Sequence, residues 1–593
     1  MVKLKKYLVS TQIKETWPEN KNNHIIFSSI APLQKFPDKD FPYKKFNINN
    51  KYWTPQRVAK DFKYIENLYE KTLLKLSSNL NDIHKTNYSK KFWRILIGPW
   101  LFNFIFFSFD RWKNITTTLN KFKIDKVKIL NLNKNLLTPY EGEDFIIVSG
   151  KDLWNQYIYQ TICLDLLPRK KIDYINYNTK KQIETDISSL NQGTKKPNSI
   201  KLIIFNFFNF FKKTKYKYLI YRIYTGAIKE IKLSLKLGQF PLLFIPKEKY
   251  KKNKNINYNI RKKLNKLVKP KNKFENFISK IIQNQVPKVF LENFDDLKNF
   301  SSKSNLPQNP KKILTANALW HDSFFMYHTA KLAEKRSKII YAQHGGAYGI
   351  SKYSWPEKHE KKISDKYLTW GWKGSKSEKK IKSFFLLTKP IKYDWDEKKE
   401  KLLVLLRFRQ RYIQSPETES CCDLYSEYLK YWSKVLTNLD ENIKKNVVLR
   451  LKYKNLNPKS IDFFSNLEKN FTFDSSKSYY DSCMRSRLLI TNTTNTGFLE
   501  AIASNVPIMC IINKSNIPFR KSAQGIFNLL EKNKIIFYNP EKAAKYINFL
   551  WKDNVKSWWF KKETQLAIEE FKKNFAKPNK NIIGAISQEI NKL

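Results

Sequence analysis

KKILTANALWHDSFFMYHTAKLAEKRSKIIYAQHGGAYG, residues 311–349, decides the fold. KKILTAN reads as a short apolar strand that ends in a polar turn. Residues 319–335 read as a helix, and KIIYAQ (338–343) as a second strand running straight into HGGAYG. A strand, a crossover helix and a strand in this order predict a parallel pair. YLTWGW (367–372) reads as a further strand. Beyond a Lys-rich, Pro-containing link (376–398) the pattern resumes, with strand candidates at 402–406, 446–451, 488–491 and 507–512 and helices at 421–439 and 496–504. Alternating strands and helices predict parallel sheets flanked by helices. Two such units predict an α/β protein of two Rossmann-like domains facing a central cleft.

Upstream, Tyr7–Ser10 reads as a buried strand. Residues 55–85 repeat apolar side chains at spacings of three and four (Val58, Phe62, Ile65, Leu68, Tyr69, Leu73, Leu76), as a helix requires. Residues 90–112 are the most apolar of the chain. Arg94, Asn103 and an internal Gly98-Pro99 leave them short of the roughly 20 clean residues of a membrane span, so a buried helix is expected. Lys128–Leu132 and Asp144–Ser149 read as strands, and 176–200 and 247–274 as loops. Residues 201–250 alternate aromatic and Lys-rich runs. That composition suits either ordinary core elements or an interfacial element with Phe at the acyl boundary.

Lys and Arg number 111 against 52 Asp and Glu, a net charge of +59. Only 14 of those cations are Arg, and Asn, Ile and Lys are abundant throughout, so Lys reads as the default solvated residue. The charge therefore implies general attraction to anions, including an anionic membrane surface. Without an RNP1, zinc-finger, helix-turn-helix or basic-zipper pattern, no dedicated nucleic-acid partner is expected. Five Cys without a CxxC pair and six scattered His point to neither a disulfide framework nor a metal site. The hydrophobic run near the N-terminus is too short for a signal peptide, so a cytoplasmic location is expected. It could be peripheral on the inner face of the membrane.

Three constellations carry candidate chemistry. The first is Gln343, His344, Gly345, Gly346, Ala347, Tyr348 and Gly349 at a strand end, where open α/β sheets bind ligands. Its glycines let backbone approach a ligand, and His344 could serve as a general base or a donor to phosphate. The second is a set of cations at two strand ends, Arg407 with Arg409 and Arg450 with Lys452. Residues i and i+2 share a strand face, so these would cradle a nucleotide phosphate. The third is the loop Thr493, Thr494, Asn495, Thr496 and Gly497, which opens a helix whose free N–H groups suit an anion. Glu500 would repel phosphate there, and suits a sugar hydroxyl or a charge cap. No GxxxxGK[ST], GxGxxG, GxSxG or HExxH occurs, which removes P-loop ATPase, dehydrogenase, hydrolase and zincin readings.

In chain order, TQIKETWP (11–18), FWRILIGPWL…DRW (92–112), QHGGAYG (343–349) with HEKKISDKYLTWGW (359–372), VVLRLKY (447–453), TNTTNTGFLEAIASNVP (491–507) and AAKYIN…WW (543–559) resemble a bacterial family. It comprises transferases of surface-carbohydrate gene clusters, which look remotely like GT-B glycosyltransferases, among them capsule Kdo transferases and glycerophosphotransferases. The Lys- and Phe-rich residues around 200–275 match none of its motifs.

The resemblance implies an acceptor domain over 1–390 with insertions, a nucleotide-donor domain over 398–545, and helices over 546–593. Those last helices, with Trp558 and Trp559, would cross back onto the first domain. It implies transfer of a sugar or sugar acid from a nucleotide-sugar to a surface polysaccharide or lipid-linked glycan, with neither metal nor cofactor. Arg407, Arg409, Arg450, Lys452 and residues 493–500 would hold the donor, and His344 would face the cleft. Rival readings are a polyol-phosphate or phospho-sugar transferase on the same site, and a non-catalytic protein that binds polyanions or membrane surfaces.

Overall fold

The computed structural model describes residues 4–29, 31–32, 43, 45–48, 55–178, 216–242, 255–266, 269–304, 306–385, 393–407, 412–413, 425–451, 458–476, 478–513, 518–553 and 555–592. Three sheets organise them, and every strand pairing is parallel. The first sheet contains β1 (Lys6–Val9), β2 (His24–Phe27), β3 (Phe46–Ile48), β4 (Lys126–Asn131) and β5 (Ile172–Asn176) in the order β3-β2-β1-β4-β5. The second contains β6 (Tyr218–Tyr221), β7 (Lys312–Thr315), β8 (Lys338–Ala342), β9 (Lys366–Thr369) and β10 (Ile381–Ser383), ordered β10-β9-β8-β7-β6. The third contains β11 (Lys401–Leu406), β12 (Val447–Leu451), β13 (Thr472–Phe473), β14 (Ser486–Thr491), β15 (Ile508–Ile511) and β16 (Ile536–Phe537), ordered β13-β12-β11-β14-β15-β16. The parallel α/β architecture is thus the expected one, but residues before the link hold two sheets where the pattern announces a single domain.

Helices α1 (Pro55–His84) and α2 (Lys90–Lys121) join the first two sheets. α2 packs against α1, against α3 (Asp152–Leu166) on the first sheet, and against α4 (Ser323–Glu334) and α5 (Trp355–Ile363) on the second. A helix enclosed on every side has no polar face to keep, which explains its unbroken apolar run. Among the described residues it is the one helix long and apolar enough to cross a membrane, and its whole apolar window is buried in the protein. Glu70 grips Arg94 through two bonds, at 2.8 and 2.7 Å, so the single charge in that run is paired as burial demands. Gly98 lies where a Cβ would meet the Tyr69 hydroxyl at 2.8 Å and His359 at 2.9 Å.

The third sheet is flanked by α6 (Thr496–Ala503) and α7 (Lys521–Lys532), and α8 (Lys562–Phe575) packs on both. The chain then crosses back. α9 (Ile582–Asn591) lays Ile582, Ile586 and Ile590 on the second sheet beside Leu314, Ile340 and Leu368. Lys312 and Lys366 of that sheet bond to the Ile590 and Glu589 carbonyls. Trp558 and Trp559 do not cross. Their indole N–H groups donate to Asn533 and Asn505 of the third-sheet unit.

Several local expectations fail for identifiable reasons. Asp144–Ser149, an apolar run of strand length, belongs to a helix, Gly142–Val148. Asp144 Oδ2 accepts the Glu141 backbone N–H at 3.2 Å, a cap that competes with extension. Residues 152–166 form a helix, apolar on both faces because α3 is buried on both, so no amphipathic period announces it. Tyr258–Lys262, within the expected loop 247–274, is helical and buries Arg261 on Glu292. The strand of YLTWGW stops at Thr369. Residues 179–200, and most of the aromatic and Lys-rich alternation after them, lie outside the described residues. The described part includes the core strand β6, with Leu219 fully buried.

Candidate active site

Loops after the carboxyl ends of β6, β7, β8 and β9 converge at one edge of the second sheet, where α/β proteins bind ligands. Gln343 anchors the loop after β8. Its buried amide donates to the Gly345 carbonyl at 2.8 Å and accepts both the Trp370 backbone N–H and the Trp372 indole N–H at 2.9 Å. Gly349 has φ +75°, and a Cβ there would stand 2.5 Å from the Trp372 ring, so no other residue fits. The Gly349 N–H donates to Glu357 at 2.9 Å, and Tyr348 is buried.

His344 stands between these loops with 22% of its side chain exposed. Its Nδ1 lies 3.3 Å from Oε1 of Glu360, a fully buried carboxyl on α5. Glu360 also accepts from the Trp320 indole at 2.9 Å, the Tyr348 hydroxyl at 3.0 Å and the Tyr367 hydroxyl at 2.8 Å. Burial lowers the imidazole pKa to about 4, with His321 adding to the effect and the Ala316 backbone opposing it. Burial pushes the Glu360 carboxyl the other way, well above its usual range, against the pull of its hydrogen-bond donors. His344 is therefore neutral around pH 7. Tyr224, half exposed, lies with its ring nearly parallel to the imidazole, centroids 6.3 Å apart. Its hydroxyl bonds to Asn317, and both Arg222 and Tyr224 hold positive φ, a conformation side chains seldom adopt without surrounding constraint.

The third sheet meets this loop at α6. The Gly346 N–H donates to Thr496 Oγ1 at 3.0 Å, and a Cβ on Gly346 would lie 2.4 Å from the Asn495 carbonyl carbon. The two glycine loops noted in the sequence, 345–349 and 493–497, are thus in direct contact at the mouths of two different sheets. Tyr479 pins the first turn of α6 through the Gly497 carbonyl at 2.7 Å. Asn495 caps that helix without a side-chain bond, so the turn keeps N–H groups for a ligand. Thr494 is buried, while Thr493, Asn495, Thr496 and Gly497 are half-buried. Glu500 lies beyond the first turn rather than within it.

The Arg cradle is only partly assembled. Arg407 closes β11 at the same sheet edge, its N–H donating to the Tyr428 hydroxyl at 3.0 Å. Arg409 and Lys452 lie outside the described residues. Arg450 sits on β12 opposite Leu405, but its guanidinium is held by Asp474 and by Ser482 at 2.8 Å. Hydrogen bonds from Ser476, Ser482 and Arg450 outweigh partial burial and draw the Asp474 carboxyl down to about 2.

Glu360, Trp320, Tyr367, Tyr224 and Asn317 belong to the site without having been marked in the sequence. The available signal was the spacing of Glu357 and Glu360, which share a helix face. Glu357 reaches the other unit: its Oε2 accepts from Arg520 at 2.7 Å, while Arg520 Nε donates to the Ser351 carbonyl at 2.9 Å. Among the described residues no three His, Cys, Asp or Glu side chains gather as a metal would need.

No curated protein is similar to the chain at a significant level. Among solved structures, a Listeria monocytogenes protein assigned as a UDP-N-acetylglucosamine 2-epimerase aligns at 12% identity with TM-score 0.32. The alignment covers 64% of this chain and 95% of that one. The glycotransferase of kitacinnamycin aligns at 8% identity with TM-score 0.28, over 51% and 79%. Likeness at this level leaves the architecture to be read from the sheets themselves. A family model, in contrast, matches residues 6–590, nearly the whole sequence, and by that match the chain belongs to the LIC12162 family of transferases.

Proposed function

We propose that the protein transfers a sugar or sugar acid from a nucleotide-activated donor to a hydroxyl of a surface polysaccharide or lipid-linked glycan. The reading is carried by one observation, the contact of Gly346 in the His344 loop with Thr496 at the start of α6. That contact puts a neutral imidazole beside helix N–H groups suited to phosphate. The acceptor oxygen bonds to the anomeric carbon as the bond from that carbon to the phosphate oxygen breaks. His344 takes the hydroxyl proton, and the nucleotide leaves with the electron pair. Its negative charge is met by the first turn of α6 and by Arg407, so the reaction needs no metal.

A membrane-bound acceptor suits the remaining surface. The helix Ala227–Lys236 exposes Ile228 and Leu235, seven residues apart on one face, and flanks them with Lys229, Lys232 and Lys236. Apolar residues rimmed by Lys favour an anionic lipid surface.

Thermal unfolding at moderate salt against CMP, CDP, UDP, GDP and their sugars tests the reading. A ligand at 100 times its Kd stabilises by about 2.7 kcal/mol. A shift selective for one base is the expected outcome. Equal small shifts with every polyanion would overturn the reading in favour of unspecific electrostatic binding.

A further inference from the structure

We infer that Glu360 is the positioning residue for His344, accepting its Nδ1 proton and so holding Nε2 as the nitrogen that exchanges protons with substrate. This rests on the proposed role of His344 and deepens it.

The argument begins at Oε1 of Glu360. Trp320 lies 2.9 Å away through an indole N–H that can only donate, and the Tyr348 hydroxyl lies at 3.0 Å. Oε1 is therefore an acceptor, and the imidazole Nδ1 3.3 Å from it must bring the hydrogen. The other oxygen is taken by Tyr367 at 2.8 Å. A carboxyl with no exposed surface and three fixed donors cannot turn to another partner. The ring is held from its other sides as well, by Tyr348 edge-on at 5.7 Å and by Tyr224 alongside. A carboxylate behind an imidazole fixes its tautomer and stabilises the imidazolium formed when it accepts a proton.

The charged and titratable surroundings are few. His321, Tyr224 and Tyr348 face the imidazole; Glu357, Tyr341 and Tyr367 face the carboxyl. None of the groups around Glu360 is a fixed cation, so the imidazole itself is its charge partner in turnover.

The test is Glu360→Gln, whose amide oxygen can still accept from Trp320 while its NH2 cannot take the Nδ1 proton. Nitrogen-labelled histidine resonances, with His344 assigned by its loss in His344→Ala, report the tautomer without any substrate. In the full-length protein His344 is expected to show one tautomer protonated at Nδ1, and in Glu360→Gln to lose it. Turnover is expected to fall roughly 100-fold, at the low end of what a positioned base contributes. The acid limb of the rate should move to lower pH, since the imidazolium has lost its counter-charge. In the His344→Ala background, Glu360→Gln should cost nothing further. Should Glu360→Gln fail to fold, Tyr367→Phe removes one donor from the far oxygen and should disturb the His344 resonances in the same direction. Unchanged His344 resonances and acid limb in the folded variant would overturn the positioning role while leaving nucleotide binding intact. Failure of the transferase reading would instead appear as absent nucleotide selectivity with the tautomer still fixed.

Discussion

Gly346 has no room for a side chain, because the Asn495–Thr496 peptide occupies the place of its Cβ. Backbone rather than a flexible side-chain end is the obstacle, so Gly346→Ala must push the two glycine loops apart. Turnover should fall by at least about tenfold, as misplacement of reacting groups by an ångström costs. Global stability should change by less than about 1.5 kcal/mol, because the loop lies at the sheet edge and the core is untouched. Steady-state rates and a denaturant midpoint check both; normal turnover would separate the loop contact from catalysis. At this scale the sequence was legible where a residue type has one use. Glycines after a strand marked a close approach, and His344 at a strand end lay in the cleft. The scarcity of Arg was also informative, but in a different place than the cluster at 407–450 suggested. Arg94, Arg111 and Arg261 sit buried in forks on Glu70, Asn155 with Asp110, and Glu292. Arg450 is committed to Asp474. A forked cation is kept wherever a planar bidentate partner exists, and the sequence alone does not say whether that partner is a ligand or the protein's own carboxylate.

Among elements, α5 connects most of the molecule through nine residues. Its His359 meets Gly98 of α2, its Glu360 meets His344, and its Glu357 meets Arg520 across the units. Its charged residues read as a solvated helix face because nothing in a sequence tells a buried carboxyl from an exposed one until its donors are known. The strands of the third sheet, in contrast, were legible to within two residues. Parallel strands buried on both faces become unbroken apolar runs, such as Leu402–Leu406. α3 escaped for the same reason in reverse, since burial on both faces erased the helical period. The exposed helix Ala227–Lys236 carries a prediction of its own. Ile228→Glu with Leu235→Glu should weaken sedimentation with vesicles containing anionic lipid by at least about tenfold, since two apolar side chains contribute roughly 3 kcal/mol of burial. Circular dichroism should be unchanged, because both side chains already face solvent. Equal sedimentation of variant and parent would remove this helix from any membrane contact.

The whole molecule is closed by two crossings, the link before β11 and the return of α9, with the Glu357–Arg520 pair and the Ile350–Arg520 and Lys352–Pro518 backbone bonds between them. Cores beneath all three sheets are continuous, so unfolding should be cooperative and its pH dependence should reflect buried groups anywhere in the chain. Two histidines dominate that dependence on the acid side. Burial, with Arg94 and Lys362 adding to it, lowers His359 to about 3. Burial lowers His328 to about 4, against the Pro307 carbonyl that its Nε2 meets at 3.0 Å. A histidine lowered from about 6.5 binds fewer protons folded than unfolded between its two values. Stability is therefore full above pH 6.5 and is lost as pH falls towards the folded value. Each group contributes a slope of up to about 1.4 kcal/mol per pH unit. His344 would add a third such slope, but Glu360 beside it is shifted upwards, and a raised carboxyl loses stability as pH rises instead, so this pair partly cancels. Stability should thus begin to fall near pH 6.5, well before ordinary carboxylates titrate. Replacing His359 by Gln should flatten the decline between pH 6 and 4 by about one proton's slope. Urea unfolding at half-unit pH steps measures it, and an unchanged slope in that variant would show that His359 is already protonated in the folded protein.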